Sequence, residues 1–307
     1  GCDYGLGYHV AASLHAKGLT VYAGCLEPDS EGGLLLLSAG VRVLHADYRK
    51  HDTLVGAFAA IRDAEKELWA IVACAGSTAY GEMEWARSED LVGLIDVNVL
   101  GTLDLVSLGL SLVKASHGRI VILTGLQGRL CIPGMTVSSV ASAALCQYAD
   151  GLRRELVKFG VQVCTVEPAF YRTGTTDHDA VLAALGSLMA RLAADVREAY
   201  GASYLDSFRT GFPRRLRRFS RADLDEVSEA VLRALLKPEA NARYRCCSWR
   251  QTLTWALLEL LPRRLGDYVL VVQFTPRYRA SDAPTSPGLS SVDQRRVDAL
   301  RALYGSP

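Results

Sequence analysis

Several features are missing from this sequence, and each absence removes a class of protein. No run reaches the roughly 18 consecutive apolar residues of a membrane span. The best candidate, 252–274, is interrupted by Pro262, Arg263, Arg264 and Asp267. It reads as core helix plus strand, with a position along a membrane surface as the alternative. The eight cysteines recur at no fixed interval, and no pair has C-x-x-C spacing. Cys246 and Cys247 are adjacent, which suits a bridge between them poorly. Neither a disulfide framework nor a metal site is expected, and a reducing, intracellular setting is. An excess of one charge is absent too. The 34 basic and 33 acidic side chains nearly cancel, so no nucleic-acid partner is expected. Arg214, Arg215, Arg217, Arg218 and Arg221 do cluster, and read as a solvated loop and helix start rather than a phosphate- or lipid-binding patch. The sequence starts at Gly1 rather than Met. Material upstream is expected to be missing, and a targeting or anchoring segment there would not be visible.

What is present is a large apolar fraction, half of 307 residues, enough for one substantial core. Short apolar runs at 19–25, 41–45, 69–75, 119–124 and 161–167 alternate with helix-length amphipathic stretches at 5–17, 52–67, 88–114 and 138–159. Continuous apolar runs suit strands buried on both faces, and the alternation predicts an α/β doubly wound parallel sheet. Beyond Pro168 it loosens: 179–200, 222–236 and 252–261 read as helices and 243–248 as an edge strand. With no repeat or linker, residues 1–275 form a single expected domain. The Pro-, Ser- and Arg-rich stretch 276–307 reads as a loosely ordered tail.

The chain opens Gly1-Cys2-Asp3-Tyr4-Gly5-Leu6-Gly7 and runs into a helical stretch. Glycines at that spacing let the backbone turn tightly beside a pyrophosphate, and the helix start presents free N–H groups to its charge. The pattern fits the cofactor loop of a Rossmann fold, with an ordinary Gly-rich turn as the alternative. The strand that should precede the loop, central in such a sheet, is absent, so the first strand is expected to be missing. The second strand of a dinucleotide site ends in the residue that reads the ribose. Here that end is Ala23-Gly24-Cys25-Leu26-Glu27. Glu27 falls slightly late, and the lack of a basic residue leans toward NAD over NADP.

Several further segments, taken in order, resemble the short-chain dehydrogenase/reductases, nearest the retinol dehydrogenase and 17β-hydroxysteroid dehydrogenase type 2 branch. Gly1, Gly5, Leu6 and Gly7 resemble the cofactor loop without its leading Thr. Asp47 stands where the family places an Asp beside the adenine. The run from Leu68 to Gly76 is similar to the strand ending in Asn-Asn-Ala-Gly, with both asparagines replaced. Asp96-Val97-Asn98-Val99-Leu100-Gly101 is similar to the N-V-x-G segment. Gly118-Arg119-Ile120-Val121 opens the strand that ends in the catalytic Ser. Leu152-Arg153-Arg154-Glu155-Leu156 and Glu167-Pro168-Ala169-Phe170-Tyr171-Arg172-Thr173 are close to that branch's wording. The resemblance implies that Gly76 and Thr173 also face the cofactor.

It further implies hydride transfer between a nicotinamide and an alcohol or carbonyl. A Tyr moves the proton, a Lys lowers the Tyr pKa and holds the ribose, a Ser polarises the substrate oxygen and an Asn steadies a relay water. Asn98 occupies the Asn position intact. The Ser position falls on Gly125, the Tyr position on Val137 and the Lys position on Ala141. Thr124 should point away from the site, and Ser138, Ser139 and Tyr148 are weak substitutes by length, acidity or distance. The small-residue stretch Val140-Ala141-Ser142-Ala143-Ala144 suits close packing on a sheet or a partner helix, and a homodimer is expected. The reading is therefore a catalytically impaired relative that keeps weak NAD (or NADP) affinity, or binds no nucleotide, and acts by binding a nucleotide or a partner. The alternative is an active NAD(P)-dependent oxidoreductase of a retinoid, steroid or other lipophilic alcohol with a relocated site. The stretch 174–213, rich in Ala and Leu, would cap such a ligand. Location at the endoplasmic reticulum membrane or in the cytoplasm, with peripheral membrane contact, completes the expectation.

Overall fold

The computed structural model describes residues 1–274; the tail expected at 276–307 lies outside the described residues. In chain order the elements are α1 (Gly5–Ala16), β1 (Tyr22–Cys25), α2 (Glu31–Ser38), β2 (Arg42–His45), α3 (His51–Ala64) and β3 (Ala70–Ala73). There follow α4 (Ser88–Ile95), α5 (Gly101–Ala115), β4 (Arg119–Leu123), α6 (Thr136–Leu156), β5 (Gln162–Pro168) and α7 (His178–Ala190). The chain continues through α8 (Ala194–Tyr200), α9 (Ala202–Phe219), α10 (Asp225–Leu236), β6 (Arg243–Cys246), α11 (Trp249–Leu260) and α12 (Arg263–Phe274).

All strand pairs are parallel, and β3, β4, β5 and β6 lie side by side in that order. The period of two along β4 divides its side chains between two helical layers. Val121 faces Val10, Leu14, Val227 and Val231 of α1 and α10. Ile120 and Ile122 face Val106, Val113, Leu145 and Ala149 of α5 and α6. All three β4 residues are fully buried, and each such side chain contributes roughly 1.5–3 kcal/mol. Helices on both faces of a parallel sheet make the doubly wound α/β arrangement.

The sheet is nonetheless in two parts. β1 pairs only with β2, and the facing edges of β1 and β3 are not bonded to each other. Between them runs a slot of about 220 Å³ bordered by Val21, Leu44, Phe58, Ile71, Val72 and Leu105. No strand among the described residues fills it.

Four elements differ from the sequence reading. α2 is an additional helix. Gly32 and Gly33 look like a turn, but a Cβ on either would meet Asp3 O or Pro28 O, so the helix starts hard against the opening loop. The expected helix at 179–200 is broken into α7 and α8. α9 carries the arginine cluster on a helix rather than a loop. It tolerates Pro213 because Leu205, Phe208, Phe212 and Leu216 bury one stripe. The Val269-Leu270-Val271-Val272 run is helix, not strand. The continuous helical stretch Ser88–Ala115 is long and apolar enough by composition to cross a bilayer. It instead packs on β3 and α3, burying Val106, Gly109 and Val113.

α7 and α9 form the cap. Their apolar faces pack on each other and on Trp85, with Val181, Leu185, Tyr204 and Phe208 in one cluster. Tyr204 donates to Glu82 at 2.7 Å and Tyr80 donates to Thr175 O at 2.8 Å, tying the cap to the loop after β3. The apolar content of 174–213 is thus used largely in helix packing.

Candidate functional site

The ends of the strands and the opening loop surround a cleft of about 490 Å³. The loop is shaped by its glycines: Gly5 has φ +65°, and a Cβ on Gly7 would stand 1.9 Å from Gly1 O. α1 follows with extended backbone at its cap residue Tyr4, no side-chain cap and no acid in its first turn. Its first N–H groups are left for an anion. Thr173 stands beside this turn, its Cβ 3.7 Å from where a Cβ on Gly5 would be. Gly1, Gly5, Leu6, Gly7 and Thr173 all border the cleft, so the structure brings together the loop residues that the sequence singled out.

Asp3, which the sequence reading passed over, locks the loop to β1. Its carboxylate accepts from Leu26 N at 3.0 Å and Glu27 N at 2.8 Å. These bonds fix the main chain at Glu27, which borders the cleft. Asp47 is buried on the same side, accepting from Arg49 N at 3.0 Å and Arg49 Nε at 3.4 Å. Burial works to raise its carboxyl, and the Arg49 amide and guanidinium outweigh that, holding it below the usual carboxylate range.

At the other end, Gly76 lies in the loop after β3 next to Asn98, which lies in a π-helical turn, Asp96–Leu100. Asn98 Oδ1 accepts from Ser77 N at 2.7 Å, and its Nδ2 donates to Ser77 O at 2.8 Å. Both ends of the amide are therefore engaged with one residue's main chain. The side chain of Asn98 thus pins the loop after β3.

Val137 and Ala141 pack with Leu94, Leu91, Ile95 and Val99 in a small core against α4. Ser138 and Ser142 of α6 border the cleft instead. Ser138 Oγ accepts from Ala79 N at 2.9 Å and donates to Ala79 O at 3.1 Å, drawing the loop after β3 onto the helix. Ser139 donates to Met135 O at 2.9 Å, and Tyr148 packs with the core under β4, where burial pushes its phenol up to about 12. The hydroxyls of Ser138 and Ser139 are thus engaged by main-chain groups. Thr124 borders the cleft, with its Oγ1 3.9 Å from the buried Cys146 Sγ.

Gly125 faces the side chain of Gln127, another residue the sequence reading missed. Its carboxamide fills the space into which a residue-125 side chain would project. Gly128 packs so closely on Ser142 that a Cβ would come within 2.9 Å of its main chain. The small-residue stretch of α6 therefore serves a contact inside the chain. Arg129 and Arg245 approach the buried Glu167 at 3.5 Å and 3.7 Å, anchoring this turn to β5. Among the described residues no lysine borders the cleft; Arg49 is the one basic side chain there.

The short chain dehydrogenase family pattern matches residues 1–180. The chain belongs to the short-chain dehydrogenase family. This short-chain dehydrogenase is 31% identical over 276 residues to retinol dehydrogenase 16 of Mus musculus, covering 88% of this chain and 86% of the relative. It is 30% identical over 274 residues to 17-beta-hydroxysteroid dehydrogenase type 6 of Bos taurus, with the same coverage. Among solved structures it is similar to a short-chain dehydrogenase from Streptomyces avermitilis, with TM-score 0.67 and 19% identity over 90% of this chain and 96% of that one. A short-chain dehydrogenase from Burkholderia cenocepacia in complex with NADP aligns with TM-score 0.62 and 19% identity, covering 89% and 94%. The single-domain Rossmann architecture agrees with these neighbours.

Proposed function

We propose that this short-chain dehydrogenase binds a nicotinamide dinucleotide along its cleft and does not perform the redox reaction named for its relatives, so that it works by binding a nucleotide or a partner. The observation that carries this reading is the state of α6. Val137 and Ala141 belong to a core against α4, and no lysine borders the cleft among the described residues. The proton relay needs a phenol beside an ammonium, and that pair has no counterpart in the cleft among the described residues.

Dinucleotide binding is supported by the uncapped start of α1 and by the glycines around it. Glu27 at the cleft edge favours NAD, since a carboxylate accepts from ribose hydroxyls and repels a 2′-phosphate. Affinity is weak, because Ala141 offers nothing to the nicotinamide ribose, and a lost charge-assisted hydrogen bond costs about 1.5–3 kcal/mol. A retinoid or steroid, suggested by the relatives' names, would enter as a bound ligand rather than a substrate.

Fluorescence titration of the folded protein with NADH and NADPH tests this. The expected result is saturable, weak binding, tighter for NADH and lost in Gly7→Val. No binding of either nucleotide, or a submicromolar constant, would contradict it.

A further inference from the structure

Charge is distributed unevenly along the cleft. The charged side chains that border it are Asp3, Glu27, Asp47 and Arg49, from the opening loop and the segments just after β1 and β2. Residues that border it from Cys74 onward include no carboxylate, ammonium or guanidinium. Asp3 ties the uncapped start of α1 to the main chain after β1, so the features suited to a pyrophosphate and to a ribose stand together.

The other half of the cleft is neutral, and much of its polarity is spent within the chain. Both ends of the Asn98 amide engage the main chain of Ser77, at 2.7 Å and 2.8 Å. Ser138 Oγ engages the main chain of Ala79, at 2.9 Å and 3.1 Å. Thr124, Gln127 and Ser142 remain at the cleft wall, and none is charged. Behind them Glu167 is fully buried, and its charge is matched by Arg129 and Arg245 at 3.5 Å and 3.7 Å.

A site discriminates two ligands only through groups that meet them differently. Oxidised and reduced nicotinamide dinucleotides differ by a positive charge on the nicotinamide ring, and a facing ionic group is the direct means of sensing it. The neutral half of this cleft supplies none among the described residues.

We propose that the ligand read by this cleft is the adenosine diphosphate portion of the dinucleotide, so that ADP-ribose binds as well as NADH, and NAD as well as either. The ligand class is an adenosine 5′-diphosphate ester with a free 2′-hydroxyl. This rests on the nucleotide binding proposed for the cleft and narrows it, making the site blind to the redox state of the nicotinamide.

NADH fluorescence titration of the full chain supplies a reference constant. NAD, ADP-ribose and nicotinamide mononucleotide are then titrated as competitors, and ADP-ribose binding is also measured directly by calorimetry. NAD and ADP-ribose are expected within about threefold of NADH. The mononucleotide should displace nothing at concentrations where ADP-ribose displaces all the NADH. Glu27→Gln should weaken NADH and ADP-ribose by the same factor, about three to ten, because a neutral acceptor makes weaker hydrogen bonds than a carboxylate. Glu27 is exposed, so an unchanged melting curve should accompany that loss. An ADP-ribose constant more than about tenfold weaker than that of NADH, or a preference of that size between NAD and NADH, overturns the proposal. So does displacement by the mononucleotide, or a Glu27→Gln loss confined to NADH. Each of these leaves dinucleotide binding standing, whereas failure of every nucleotide to bind removes that reading and this proposal together.

Discussion

Gln127 stands over Gly125: a Cβ built on the glycine would lie 2.3 Å from the Gln127 Oε1 atom. On the proposed reading, the position that would carry a catalytic hydroxyl is thus both bare and covered. Adjusting residue 125 alone would place a hydroxyl against an amide that has to swing away first.

On that reading, repair of the relay is expected to require more than three residues. Gly125→Ser, Val137→Tyr and Ala141→Lys together enlarge positions that pack against Leu94 or under Gln127. Overpacking of this kind costs about 1–3 kcal/mol. The triple variant should melt lower and stay silent with lipophilic alcohols. Adding Gln127→Leu should recover more activity than it recovers stability, because groups that act as a unit are strongly non-additive. Activity in the triple variant equal to that of the quadruple one would show that Gln127 does not obstruct the site.

Asp3 is expected to govern both stability and cofactor binding. Asp3→Ala leaves the Leu26 and Glu27 amides without their partner, at a cost of about 1–3 kcal/mol. It also frees the opening loop from β1. Chemical denaturation should show the loss and NADH titration a weaker constant, while Asp3→Asn, which can still accept one bond, should fall between. A full-affinity Asp3→Ala protein would detach Asp3 from the cleft's geometry.

Asp150 sets part of the acid limit of stability. Burial pushes its carboxyl up, but Arg153 at 2.9 Å and Arg243 at 2.8 Å outweigh this and hold it below the ordinary value. A depressed folded pKa makes the contribution complete above the unfolded carboxylate range, and it is lost as pH falls through the folded value. Asp150→Asn should therefore lower the melting temperature at neutral pH and bring the two proteins closer together as the solution is acidified. Parallel curves down to the acid limit would remove Asp150 from that role.

Much of the fold was legible in residues 1–168, because buried parallel strands and amphipathic helices write different periods. α2 escaped because Gly32-Gly33 reads as a turn until Asp3 and Pro28 are seen against it. α9 escaped because Pro213 and the arginines obscure a stripe that only Trp85 and the cap explain. The Val-Leu-Val-Val run of α12 has strand composition, and tertiary contact through Leu270 decided for helix. In the site, the family resemblance singled out Gly125, Val137 and Ala141 as the expected Ser, Tyr and Lys positions, but spacing cannot show what packs around them. Gln127 over Gly125, Ser138 on Ala79 and Asn98 on Ser77 are contacts between segments distant in sequence or folded back on themselves.

The most direct test is a single-turnover measurement. Protein in excess over NADH, at a concentration where titration shows the nucleotide bound, is mixed with a retinaldehyde or a 17-ketosteroid, and NADH absorbance is followed. The account predicts decay no faster than without protein, for wild type and Gly7→Val alike. Oxidation of the bound NADH by wild type, lost in Gly7→Val, would contradict it and place a working acid in this cleft.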